Sequence, residues 1–385
     1  MKRKKRASAP TPGKKTAGVG SSVHSTINQR ESYEFRSPTL RFKIRAPPRN
    51  RREARVAENE EYEFPRLPLP RCRAPSPWIV LERSPLLQAI HGLLFLCYNN
   101  HMTTKQALIL ATKLLKNFKI SSPAMDAEIL LSFVIKKPKE FLYVHSEKKL
   151  TAAQFSKFKK LIARRAKHEP IAYIIGHKHF YGLDFFVDKN VLIPRPETEI
   201  LVENTINKKS TAIIDVGTGS GAIAVSLAHR LPNAKIFATE ISSAALKVAQ
   251  KNIIHHKVAI TLLRGNLLKP LLKKSKITNL KSLTIAANLP YLTTKQWKKT
   301  QPEIKKYEPR QALDGGADGL KYYRELLQQL ELLITGRRLS ITSFFEIDPY
   351  QKKSITKLIK RRFPTAKIEI KKDLAGRARL VIFEI

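Results

Sequence analysis

The chain is short of cysteine, of acidic residues and of long apolar runs. Its only two cysteines, Cys72 and Cys97, both fall within the first 101 of 385 residues. The remainder therefore has no disulfide and no cysteine metal site, and a reducing, cytoplasmic setting is expected. The apolar run from Leu86 to Tyr98 is shorter than the ~20 residues a bilayer crossing needs, so no membrane association is expected. Acids number 31 against 72 lysines and arginines, a formal charge of +41.

That charge is unevenly made. Residues 1–101 carry 14 Arg, 6 Lys, 8 acids and 11 of the 23 prolines, whereas 102–385 carry 13 Arg, 39 Lys and 23 acids. The switch from arginine and proline to lysine suggests two segments of different origin. Residues 1–101 open on Lys2-Arg3-Lys4-Lys5-Arg6, have no acid before Glu31 and sustain no apolar period. They read as a disordered basic extension: a transit peptide broken by Pro10, Pro12 and Gly13, a nucleic-acid-binding run, or a segment outside the working protein. Met102 begins a clean helical pattern.

What is there centres on Ile213 to Ala222, IIDVGTGSGA. Ile213 and Ile214 read as a buried strand, Asp215-Val-Gly217-Thr218-Gly219-Ser220-Gly221 as a glycine turn, and Ala222 onward as a helix. Strand, turn and helix N-terminus together cradle a nucleotide-like ligand. Gly217, Gly219 and Ala222 satisfy the dinucleotide pattern G-x-G-x-x-A. Asp215 and Gly221 fit the first motif of S-adenosylmethionine (SAM) methyltransferases instead. Glu240 closes the next strand, where an acid would hold ribose hydroxyls, and both cofactors predict it.

The order of elements comes next. Residues 102–168 read as a small all-α domain: a helix from Lys105 capped by Thr104, a second opened by Ser122-Pro123 with Ile129, Leu130 and Phe133 on its apolar face, and a third opened by the capping box Thr151-x-x-Gln154. Residues 169–193 read as a β-hairpin linker around Gly176 and Gly182. His177 and His179 alternate on one face but have no third ligand near, so they read as surface histidines; His255 and His256 read as a helix end. Residues 194–385 alternate strand and helix, which means a doubly wound, mostly parallel α/β sheet. Strands are expected at 235–239, 259–264, 283–287 and 339–346. The closing strands 367–370 and 379–384, joined by a short turn at Gly376, must pair antiparallel. The sum is a seven-stranded SAM-methyltransferase sheet.

Asn288-Leu289-Pro290-Tyr291 follows the fourth strand of that sheet, at the edge where α/β ligands bind. Its parts suit methylation of a planar nitrogen, whose lone pair is delocalised and must be turned toward the methyl group. The Asn288 carboxamide oxygen and the Leu289 carbonyl can each accept one N–H. Pro290 stiffens the loop, and Tyr291 can pack on the flat substrate. Upstream, Pro194-Arg195-Pro196 makes a stiff loop at the mouth of the site.

With these motifs in register, residues 102–385 resemble the release factor glutamine N5-methyltransferase family, which methylates the glutamine of the Gly-Gly-Gln motif in peptide chain release factors. The marks are PRPETE at 194–199, DVGTGSGAIA at 215–224, EPRQALDGGADGLKYYRELL at 308–327 and KDLAGRARL at 372–380. The resemblance implies SAM as cofactor, held by Gly217, Thr218, Gly219, Ser220, Gly221, Glu240, Asn266, Leu267 and Asn288. It implies that Asn288, Leu289, Pro290 and Tyr291, with Arg195, hold the glutamine, and that a release factor is the partner. No metal and a monomer are expected. Two positions depart from the family pattern: Leu289 replaces a proline, and Asn266-Leu267 replaces an acid and an aromatic near the adenine. The rival reading is a nucleic-acid adenine methyltransferase, since Asn-Leu-Pro-Tyr also occurs in rRNA adenine dimethyltransferases and the body is basic.

Overall fold

Two threonines start the helical bundle in the same way. Thr103 and Thr151 each accept the backbone N–H of a glutamine three residues on, and the side chains of Gln106 and Gln154 return the bond. The computed structural model describes residues 102–272, 280–335 and 339–385; the expectations for residues 1–101 lie outside them. The first helix, Thr104–Asn117, is thus capped one residue earlier than the sequence suggested, and the Thr104 hydroxyl instead bonds the Lys148 carbonyl. Helices Pro123–Ile135 and Ala152–Ala166 pack on it, with short Lys139–Val144 between them.

The apolar face of Pro123–Ile135 is Ala127, Leu130, Leu131 and Val134; of the expected residues Leu130 is buried there, and Ile129 and Phe133 are not. Spacing of three, one and three residues puts that set on one stripe. Phe133 lies at the edge, where the Lys157 ammonium stands 5.1 Å over its ring. The bundle core also takes in Ile174, from an unforeseen helix Ile171–Ile175 entered through Pro170 and closed by Gly176.

The hairpin follows: β1 (His177–Phe180) and β2 (Leu183–Phe186), turned by Tyr181 and Gly182, both at positive φ. Two central residues in that region give the turn whose twist matches paired strands. His177 Nδ1 meets Asp184 Oδ2 at 2.6 Å, and His256 Nε2 reaches the Asp184 carbonyl at 2.8 Å. His177 therefore ties the two hairpin strands together, and His256 ties the hairpin to the helix Ser243–His256. Buried Asn252 on that helix bonds both backbone polar groups of Phe186 and the Ser220 carbonyl, so hairpin and glycine turn share one anchor.

The main sheet has seven strands: β3 (Ala212–Val216), β4 (Lys235–Glu240), β5 (Ile260–Arg264), β6 (Ser282–Ala287), β7 (Ser340–Glu346), β8 (Lys367–Lys372) and β9 (Ala378–Glu384). Their order is β5-β4-β3-β6-β7-β9-β8; β9 runs antiparallel to β7 and to β8, and the other pairs are parallel. This is the expected seven-stranded fold. All of β3 is buried, as a strand covered by helices on both faces must be. Ile214, Val216, Ile285 and Ala287 enter one core layer, and Ile213, Ile236, Ala238 and Ala286 the other.

Register positions the site. Val216 pairs with Thr239 on one side and Ala287 on the other, and Ala287 pairs with Phe345. The next residue on each strand is therefore in one row: Glu240, Gly217, Asn288 and Glu346. Strands in a sheet lie ~4.8 Å apart, so four residues spread over 130 positions become near neighbours. The order of strands reverses between β3 and β6, the crevice where open α/β sheets bind ligands.

Arg165 joins the bundle to this half of the chain. Its side chain is buried, donating to Asp126 Oδ2 at 2.6 Å and to Glu303 Oε2 at 2.7 Å. Removing one partner of a buried ion pair typically costs ~3–5 kcal/mol because the other charge is left uncompensated. Arg165→Met should lose stability in that range in urea unfolding at neutral pH; a parent-like midpoint would show the pair to be idle.

Candidate active site

The glycine turn is built by the strand beside it. Gly217 and Thr218 donate their N–H groups to the Thr239 carbonyl at 2.9 and 3.0 Å, and Gly219 N–H donates to Glu240 Oε2 at 3.0 Å. Gly217, Gly219 and Gly221 all have positive φ, a region that excludes bulky side chains. At Gly219 an added Cβ would meet no protein atom nearer than 4.0 Å, so the space above it is open for a ligand.

Glu240 is held by its own neighbourhood. Oε1 accepts the Ser242 N–H at 2.8 Å and Oε2 the Gly219 N–H. Each oxygen keeps lone-pair capacity for a hydroxyl. The cleft extends from here past Ile241, Ala245, Asn266 and Leu267 to Asn288, Leu289 and Pro290. Leu267 is in the left-handed region, and the Asn266 amide is taken by Glu325 Oε1 at 2.5 Å. Among the described residues that line this cleft, Glu240 alone is charged. In a chain of +41 that is a selective exclusion of lysine and arginine. It suits a cationic sulfonium and gives the pyrophosphate of a dinucleotide no basic side chain.

Asn288 lines the cleft, and its Nδ2 donates to Thr198 Oγ1 at 3.0 Å. That bond engages one of the two Nδ2 hydrogens and fixes which way the amide faces, and the carboxamide oxygen has no hydrogen bond from the described residues. Tyr291, expected to pack on the substrate, is not in the cleft wall. Its hydroxyl points into the interior and donates to Glu346 Oε1 at 3.2 Å, and burial raises its pKa. Arg195, also expected at the substrate, pairs with Glu308 Oε1 at 2.5 Å; the same carboxylate accepts the Ile193 N–H. It braces the loop whose Asn190, Val191 and Leu192 do line the cleft. Thr218 and Ser220 are buried beneath the turn, the Thr218 hydroxyl bonding Asp215 Oδ2 at 2.6 Å.

The GGADG segment shows why it needs its glycines. A Cβ on Gly315 would run into the Pro290 carbonyl, and one on Gly319 into the Tyr291 carbonyl. Gly315 N–H donates to the Leu292 carbonyl at 2.8 Å, Leu292 N–H to the Leu313 carbonyl at 3.1 Å, and Gln351 Nε2 to the Tyr291 carbonyl at 2.9 Å. The Asn-Leu-Pro-Tyr loop is thus clamped through its main chain. Sequence reasoning missed Gln351, Glu346, Thr198 as a partner of Asn288, and Gln311 and Tyr322 in the cleft wall. Glu346 had a signal as the residue ending a strand of the row, and Thr198, Gln311 and Tyr322 lie inside the marked segments 194–199 and 308–327.

Two carboxyls here are fully buried, and burial pushes each up to about 7: Asp215 under the turn and Glu346 under the loop. Asp215 Oδ2 accepts from Thr218 and from the Ala224 N–H, while Oδ1 has no partner among the described residues.

The sheet order, the open glycine turn beside a ribose-ready acid, and the Asn-x-Pro-Tyr loop in the same row define a SAM-dependent methyltransferase. Known proteins narrow the class. The PrmC N-terminal domain family matches residues 106–176, and the methyltransferase small domain family matches residues 196–279. A release factor glutamine methyltransferase of Geobacter sulfurreducens is 41% identical over 207 residues, 53% of this chain and 71% of that one. Its counterparts in Bacillus anthracis and Moorella thermoacetica are 33% and 42% identical, over 67% and 59% of this chain and 91% and 80% of theirs. The chain belongs to the release factor glutamine methyltransferase family.

Gly219→Val should abolish SAM binding in calorimetry with the sheet's circular dichroism kept, because the added side chain fills the open space; parent-like affinity would place the cofactor elsewhere. Asp215 gives a stability test with a defined sign. The folded protein keeps its proton up to about pH 7, whereas the unfolded chain releases it near the ordinary ~3.9. Folding stability therefore falls as pH rises from about 4 to 7, by up to ~4 kcal/mol at 1.36 kcal/mol per unit. Asp215→Asn should remove that fall, so parent and variant diverge at pH 8 and converge toward pH 4 in urea titrations. Equal slopes would refute the buried-acid account.

Proposed function

We propose that this enzyme transfers the methyl group of SAM to the side-chain amide nitrogen of the glutamine in the Gly-Gly-Gln motif of a peptide chain release factor. The observation that carries the reading is the orientation of Asn288: with Nδ2 donating to Thr198, its oxygen is the atom that can accept a substrate N–H. SAM supplies an electrophilic methyl group. Gly217 and Gly219 form the floor on which it sits, Glu240 takes its ribose hydroxyls, and Asn266 and Leu267 border its adenine. Asn288 and the Leu289 carbonyl each hold one N–H of the glutamine, which sets the nitrogen's lone pair toward the methyl. Pro290 keeps those two acceptors at a fixed separation. Because Asn288 is a neutral amide, its contribution is alignment, the part of a barrier that orientation removes.

The partner is a release factor, docked with help from the lysine-rich bundle of residues 102–168, and the setting is the cytoplasm. No helix among the described residues is long and apolar enough to cross a membrane.

Losing one oriented hydrogen bond at a site of developing charge costs ~10²–10³ in rate. Asn288→Ala should lower kcat by that factor while SAM affinity in calorimetry stays at the parent value. Asn288→Asp keeps the acceptor but brings a negative charge, and turnover should fall while SAM binds at least as tightly. The assay pairs labelled SAM with purified release factor and, in parallel, with rRNA. Full activity in Asn288→Ala, or label on rRNA and none on release factor, would overturn the reading.

A further inference from the structure

Beneath the Asn-Leu-Pro-Tyr loop lies a second polar layer that the reaction as described does not use. Glu346 ends β7 in the same row as Asn288 and is 1% exposed. Tyr291 donates to its Oε1, Tyr323 donates to its main-chain carbonyl, and Arg379 lies close enough to favour its charge. Its Oε2 is buried with no hydrogen-bond partner among the described residues. Thr198, also buried, stands close enough for its hydroxyl to favour the charged carboxylate, without completing a hydrogen bond to Oε2. The same hydroxyl oxygen accepts the Asn288 amide.

A threonine hydroxyl has one proton and can give it to one acceptor. If that proton goes to Glu346, Thr198 can only accept from Asn288, and Asn288 must present Nδ2 inward and Oδ1 to the cleft. If the proton is not drawn away, Thr198 can donate to Asn288 instead, and the amide can turn over to show NH₂ to a substrate nitrogen whose own N–H needs an acceptor.

We propose that Glu346 is a positioning residue: its carboxylate accepts a hydrogen bond from the Thr198 hydroxyl, and this fixes the Asn288 carboxamide with its oxygen toward the substrate amide. The inference rests on the role proposed for Asn288. It also gives the reaction a pH dependence. The ionisable groups facing Glu346 are Tyr291, Arg379, Tyr323 and Glu197; Arg379 and the Tyr291 hydrogen bond favour its charged form, Glu197 opposes it, and burial outweighs all of them to place it at about 7. Below that value Glu346 carries a proton and ceases to be an obligatory acceptor, so kcat should climb as pH rises through about 7 and level off above it.

Glu346→Gln can donate to Thr198 as well as accept, so the order is lost. Outer partners that orient an active-site ligand are typically worth ~10–100-fold. The full-length variant should lose that much kcat on release factor, with KM for SAM unchanged and the rise with pH abolished. Thr198→Val should match it and Thr198→Ser should restore parent turnover, which separates orientation from packing. If Glu346→Gln fails to fold, as shown by loss of its cooperative thermal transition, the Thr198 pair decides alone. Parent-like kcat in Glu346→Gln or in Thr198→Val, with Asn288→Ala inactive, would overturn this inference and leave the function standing. Parent-like kcat in Asn288→Ala would overturn the function and this inference together.

Discussion

The register of four parallel strands is the constraint on which this molecule depends. Because Thr239, Val216, Ala287 and Phe345 stand opposite one another, the residues that follow them, Glu240, Gly217, Asn288 and Glu346, line up along one edge. A slip of one residue in any pair would send the acid, the turn or the amide to the other face of the sheet. Buried, uninterrupted β3 leaves no room for such a slip, since every position is covered on both faces. The site's precision is therefore inherited from backbone pairing that has no chemistry of its own.

On that edge the chain places polar groups in two layers. The upper layer faces the cleft: the glycine floor, the Glu240 carboxylate and the Asn288 amide. The lower layer holds the upper one still: Asp215 under the turn, Thr198 and Glu346 under the loop, and Gln351 on the loop's main chain. Buried polar groups are costly unless satisfied, so the hydrogen bonds this layer makes resist rearrangement, while Asp215 Oδ1 and Glu346 Oε2 lack partners among the described residues. Its two carboxyls, each pushed up to about 7, mark where that cost was not fully met. The substitution of leucine for proline at 289 fits this arrangement. Leu289 fills the core against Gly217, where a Cβ would meet its Cδ2 at 3.0 Å, and so contributes packing while its main chain stays in place.

The segment from Pro302 to Gly319 ties these layers to the rest of the chain. Glu303 reaches Arg165 in the bundle, Glu308 takes Arg195 and the Ile193 N–H, Pro309, Gln311 and Ala312 face the cleft, and Gly315 and Gly319 press on the loop. One run of residues thus touches the bundle, the cofactor mouth and the reactive loop. Its contribution to the loop is mostly shape: Gly315 and Gly319 at the close approaches and a short strand-like bridge from Asp314 to Leu292.

The sequence by itself determined the fold class, the order of the main strands and longer helices, the antiparallel closing pair, the capping box at Thr151 and the glycine turn with its acid. All of these are local patterns, set by periods of two and 3.6 residues and by backbone positions only glycine fills. The tertiary structure decided where side chains turn once strands are side by side. Tyr291 and Arg195 are polar residues beside reactive positions, and nothing local distinguishes a ring on the substrate from one hydrogen-bonded to Glu346, or a guanidinium in the cleft from one braced on Glu308. The pairing of Asn288 with Thr198 spans 90 residues, and Tyr291 with Glu346 spans 55. Contacts at such separation depend on how the loop after β6 packs against the Pro196–Thr198 turn and the end of β7, which no short stretch of sequence encodes.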